Sequence, residues 1–115
     1  MKIYLYIALF LLIIGCDSEK PIEKPAVLLD KAKLISVIVD VQILESHYQA
    51  MFQRKEVYAN ALDSATYFVF ENHQINKSIF EDNLKYYSEY PDTLFTIYES
   101  ALDTINNRIN SNLKQ

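Results

Sequence analysis

Glycine is nearly missing from this chain: Gly15 is the single one in 115 residues. Beyond residue 15 no Gly-rich phosphate loop, dinucleotide fingerprint or glycine-built nucleophile elbow can form. Tight hairpins, which favour positive φ, become rare. Asparagine is then expected to take the left-handed positions at helix ends. Cysteine is equally scarce, with Cys16 alone, so no disulfide can close within the chain. Tryptophan is absent, which argues against a sugar-stacking platform. The two histidines, His47 and His73, form no His-x-x-x-His or Glu-x-x-His pair, so no metal site is expected. Nor does any motif ask for a cofactor. Fifteen acidic side chains against eleven basic ones leave a net charge of −4. That balance disfavours nucleic acid and electrostatic docking on anionic lipid.

What is present begins with an apolar run at residues 3–14 that ends in Ile13-Ile14-Gly15-Cys16. Lys2 supplies the charge before the run, and small Gly15 precedes the one cysteine. This is the pattern of a lipoprotein signal and its lipobox. As a helix, residues 3–14 would span roughly 18 Å, against a hydrocarbon core of about 30 Å, so a transmembrane anchor is the poorer reading. Residues 1–15 are expected to be removed as a signal peptide. Cys16 would then be acylated, with palmitate-type chains doing the membrane binding. Residues 16–25, polar and carrying Pro21 and Pro25, read as a flexible tether. Residues 26–115 remain as a single domain held by packing alone.

The domain reads as four helices, an all-α bundle of three to four helices. The first is expected over residues 30–52. Leu34, Val37, Val41, Leu44, Tyr48, Met51 and Phe52 share a broad apolar face, and Ile35, Val39 and Ile43 form a second strip. A helix apolar on two sides should be packed on two sides, which makes it central. A buried strand over residues 34–41 is the rival, but the helical period continues for five turns. The second helix is expected over residues 57–72, with Tyr58, Leu62, Ala65 and Val69 inward. The third follows Asn76 as N-cap, with a competing Ser78–Glu81 capping box, and turns Phe80, Leu84 and Tyr87 to one face. The fourth starts at Pro91, with Leu94, Tyr98, Ala101 or Leu102, Ile105 and Ile109 inward, and a fraying tail after Ile109.

Three blocks also carry a family resemblance. They are Asp30-x-x-x-Leu34-Ile35-x-x-Ile38-Val39-Asp40-x-x-x-Leu44-Glu45, then Tyr67-x-x-Phe70-x-x-His73-x-Ile75, then Phe80-x-x-Asn83-Leu84-x-Tyr86-Tyr87-x-x-x-Pro91-x-x-Leu94-x-x-Ile97-Tyr98. Together they resemble small Bacteroidetes lipoproteins grouped as domain of unknown function 4296, over residues 25–109. The family pattern often has Ser at position 83 and a polar residue at 90, where this chain has Asn83 and Tyr90. The resemblance implies an envelope lipoprotein with a compact helical domain and supplies no activity. Asp17 and Glu19 are similar to the acidic tethers of surface-exported lipoproteins, so the outer membrane is expected rather than the inner.

Two constellations stand out as candidate sites. Ser36, Asp40 and His47 lie along one edge of the first helix. Asp40 and His47 are about 10.5 Å apart, too far to bond directly. They read either as a buried polar stripe or as the acid–base residues of a small envelope enzyme. Glu45 points about 140° away from Asp40 and makes no dyad with it. Tyr86 and Tyr90, with Phe80 and Tyr98, form the candidate binding surface. No serine or cysteine nucleophile has a recognisable setting. A helix-turn-helix over residues 76–90 would conflict with export and with the acidic charge. The sequence therefore leads to a non-enzymatic, envelope-anchored module that binds protein or peptide, with the Asp40–His47 enzyme as its alternative.

Overall fold

The computed structural model describes Met1 and residues 21–114. The leader and the lipidation position Cys16 lie outside the described residues. Among those described, the ordered elements are helices α1 (Lys31–Met51), α2 (Lys55–Asn72), α3 (Lys77–Ser88) and α4 (Pro91–Asn112), with no strand. The chain is an all-α bundle, and the strand rival at residues 34–41 falls wholly inside α1.

Local chemistry sets most helix ends. Asp30 caps α1 by accepting the Lys33 N–H at 2.7 Å, and Asn76 caps α3 by accepting that of Ile79 at 2.9 Å. The competing capping box does not form, since the Ser78 hydroxyl faces Asp82 at 3.5 Å. Pro91 opens α4, with Asp92 in its first turn. No side chain caps α2, and it starts two residues before the expected position. The final helix runs on past Ile109 to Asn112.

The left-handed position falls to glutamine rather than asparagine. Gln74 has φ 57°, the one positive-φ residue among those described. Its N–H donates to the Glu71 carbonyl, and the Ile75 N–H donates to that of Phe70. That pair of bonds is a Schellman motif, and Ile75 packs on the Phe70 cluster as the motif's apolar contact. The reversal turns the chain from α2 into α3.

Helix α1 is the hub, packing against both α2 and α4, while α3 packs on α4. One core cluster joins Leu34, Ile38 and Val39 to Tyr87, Ile97 and Ala101. A second joins Val37 and Val41 to Phe70. Burial on α1 stops at Val41. Ile43 and Met51, expected inside, are exposed. Toward its C-terminus a cluster of rings takes over, with Tyr48, Phe52 and Tyr58 at centroid distances of 5.8 to 6.1 Å. Ile38, in neither expected strip, is buried. On α4 the inward residues are Leu94, Ile97, Ala101 and Ile105. Tyr98 and Ile109, expected inside, are exposed, and of the alternatives Ala101 and Leu102 it is Ala101 that turns in while Leu102 is exposed. Ile97 takes the central place because its wheel position faces α1.

Candidate functional site

Asp40 sits on α1 where α2 ends and α4 passes. Its Oδ2 accepts from His73 Nε2 at 2.7 Å, and its Oδ1 accepts from Arg108 Nη1 at 2.8 Å. One carboxylate thus ties three helical segments together. Burial pushes its pKa up, but the hydrogen bonds from Arg108 and His73 outweigh this and hold it below the ordinary 3.8. With one oxygen committed to His73 and the other to Arg108, Asp40 is built as a brace. His47 belongs to another surface: it is exposed, with its ring edge toward Tyr48 at 6.4 Å. The buried stripe Ser36–Asp40–His47 is corrected accordingly. Ser36 and Asp40 are half-buried, and the histidine that meets Asp40 is His73.

A second polar junction holds the segment before α1 onto α3. Asn83 is fully buried, and its Oδ1 accepts the Leu29 N–H at 2.8 Å. Its amide Nδ2 donates to the carbonyls of Val27 at 2.7 Å and Ile79 at 2.8 Å. One turn on, the Tyr87 hydroxyl donates to the Leu29 carbonyl at 2.8 Å. Among the described residues no buried side-chain nitrogen or oxygen is left without a partner. The clamp therefore replaces, for an extended segment, the backbone bonds that a helix would have supplied.

The third feature is an apolar groove of about 440 Å³ between α1, α2 and α3. It opens because α2 packs mainly on α1 and α3 mainly on α4, which leaves only sparse contact between α2 and α3. Val41, Leu62, Phe70, Phe80 and Leu84 line it, with Glu45, Lys55, Asp63, Lys77 and Glu81 among its charged lining residues. Phe70 and Phe80 meet in it at a centroid distance of 5.2 Å. Lys77 reaches Asp63 across from α3 to α2 at 3.7 Å, an exposed pair of small energetic weight. The volume and apolar lining suit a ligand's anchoring side chains.

The candidate binding surface of Phe80, Tyr86, Tyr90 and Tyr98 does not assemble as one patch. Phe80 lines the groove. Tyr86 lies on the side of α3 facing residues 21–26, with the Tyr90 ring tilted against it at a centroid distance of 5.3 Å. The Tyr86 phenol raises the pKa of Tyr90 above its ordinary 10.0. Tyr98 is exposed on α4. Among the described residues no three His, Cys, Asp or Glu side chains converge, and no helix is long and apolar enough to cross a membrane.

Sequence reasoning passed over Arg108 and Asn83 as site residues, yet each left a signal. Arg108 follows Ile97 and Ala101 at helical spacing on the inward face. Asn83 stands between Phe80 and Tyr87 on an otherwise apolar face. A polar residue in such a place has a partner on a neighbouring segment to meet.

The family model described as a domain of unknown function (DUF4296) matches residues 25–111, and the chain belongs to that family. No curated protein and no solved structure matches it.

Proposed function

For this member of the DUF4296 family we propose a non-enzymatic, envelope-anchored module that binds an amphipathic helix of a protein partner. The observation that carries this reading is the apolar groove between α1, α2 and α3. A helix laid between α2 and α3 would set its apolar residues on Val41, Phe70 and Phe80 and its polar face toward Glu45, Lys55 and Glu81. The acid–base alternative has less support, because Asp40 is occupied by His73 and Arg108. Anchoring is proposed at Cys16 through acyl chains, on the strength of the leader sequence.

Photo-crosslinking in cells tests the groove. A photoreactive residue at Leu62 or Leu84 should give one discrete adduct, lost when Phe80→Glu is added. The same residue at Ser88, outside the groove, should not give it. No adduct, or the same adduct from Ser88, would remove the groove as the binding site. Anchoring has its own test: Cys16→Ser should abolish acylation and release the domain. A Cys16→Ser chain held at the membrane as firmly as wild type would count against lipidation.

A further inference from the structure

Helix α4 carries a second apolar stripe that nothing in the chain's described residues covers. Phe95, Tyr98, Leu102, Ile109 and Leu113 are each 46% to 80% exposed. With half-buried Ile105, the run 95, 98, 102, 105, 109 steps by three, four, three and four residues. That spacing is the seam of a helix pair. At 100° per residue these exposed side chains fall within a 60° arc, roughly 100° round the helix from the inward Ile97 and Ala101. A stripe of this width along about 27 Å of helix is a packing surface rather than scattered exposure.

We propose that this ridge pairs with the same ridge of a second copy of the chain, with the two α4 helices antiparallel. Two observations select that occupant. The first is charge. Along one flank of the ridge, Asp92, Glu99 and Asp103 occupy the N-terminal half, while Asn106, Asn110 and Lys114 occupy the C-terminal half. A parallel pair puts this flank of the two copies on opposite sides of the seam, whereas an antiparallel pair brings the same flank of both copies together. An antiparallel pair centred near residue 104 sets Glu99 opposite Asn110, Asp103 opposite Asn106, and Lys114 toward Asp92. No like-charge contact forms along this flank, and one attraction is gained. The second is area. The five side chains leave roughly 600 Å² uncovered per copy, so a pair buries at most roughly 1,200 Å², the lower end of the range for specific interfaces. Both ridges must be used in full, which a two-fold antiparallel arrangement does. The α1–α2–α3 groove is not involved, so this pairing does not depend on the binding reading above.

The test is cysteine crosslinking between full-length chains in their own membranes. Differently tagged chains carrying Glu99→Cys and Asn110→Cys are co-expressed and oxidised, with wild-type chains giving the background from Cys16. The expected product is the mixed 99–110 dimer, in clear excess over 99–99 and 110–110. Leu102→Glu, added to both chains, should reduce it about tenfold or more by placing carboxylates near the two-fold axis. Because Leu102 is exposed, helical content should be unchanged by that variant, which separates loss of pairing from loss of fold. Dominant 99–99 and 110–110 products would mean that these flanks do not meet in antiparallel register and would overturn the proposal. So would a mixed dimer indifferent to Leu102→Glu. Absence of any dimer, with the cysteine at 110 shielded from a water-soluble maleimide, would give the ridge to another occupant, such as residues 2–20 or a different protein.

Discussion

Helices α1 and α4 are both apolar on two sides, yet the bundle treats them differently. In α1 both sides are covered: Val37 and Val41 meet Phe70 of α2, and Leu34, Ile38 and Val39 meet Ile97 and Ala101 of α4. In α4 one stripe is covered by α1 and α3 while the other lies in solvent. The difference comes from position, since α1 has helices on two sides and α4 closes the bundle. Two-sided apolarity therefore marks a central helix only when the neighbours are counted. On an outer helix it marks a surface with work beyond the fold.

Substitutions can break this comparison in graded steps. The largest effect should come from Ile97→Ala, which opens a cavity against Leu34 and Val39 and should lower unfolding free energy by about 2–5 kcal/mol in urea melts. Val39→Ala, on the covered second side of α1, should also destabilise clearly. If Ile97→Ala were tolerated, the inward stripe of α4 would be misassigned. Next comes Asn83→Ala, which strands the Leu29 N–H and the Val27 carbonyl and should reduce stability by about 1–3 kcal/mol. Amide exchange at Leu29 should speed up in that variant more than exchange within α1.

Asp40→Leu is expected to take away about 1–2 kcal/mol, leaving His73 and Arg108 unpaired in a half-exposed site, and Asp40→Asn less. Stability at or above wild type in both would reopen a functional role for Asp40. Its pH dependence has a definite sign. The folded pKa lies below the ordinary 3.8, so the folded state holds the proton less tightly than the unfolded one. The contribution is then complete above the ordinary carboxylate range and fades as pH falls through and below it. Asp40→Asn should flatten that part of the acid-unfolding curve. The smallest change belongs to Leu102→Ala on the open ridge, within about 0.5 kcal/mol for a dilute monomer. A loss comparable to that of Ile97→Ala would mean the two stripes of α4 are equally buried.

Much of the architecture could be read from the chain because helix starts are local events. Asp30, Asn76 and Pro91 each mark a boundary within reach of their own neighbours, and each marks it correctly. The centrality of the first helix was legible for the same kind of reason, from one periodic pattern. Choosing between the stripes of α4 was harder. Tyr98, Leu102 and Ile109 are as apolar as Ile97 and Ala101, and only contact with α1 decides which side turns in. The polar partnerships were less visible still. Asp40 finds His73 33 residues away and Arg108 68 residues away, whereas helical spacing only set it on one edge with His47, out of bonding reach. The turn after α2 shows another limit. Its left-handed residue is Gln74, held there by Schellman bonds and the Ile75–Phe70 contact, where preference alone would have chosen asparagine.

The clamp at Asn83 and Tyr87 bears on how the domain carries load. Tension arriving along the chain from residues before 21 meets the bonds from Asn83 to Val27 and Leu29, and from Tyr87 to Leu29, before it reaches the first turn of α1. The pull is thereby handed to α3 at a point 54 to 58 residues further along the chain. Those bonds are strained together, and α1, the hub of both core clusters, is spared from being unwound from its end. Fastened there, the leading segment passes a pull to α3 before the first turn of α1 is loaded.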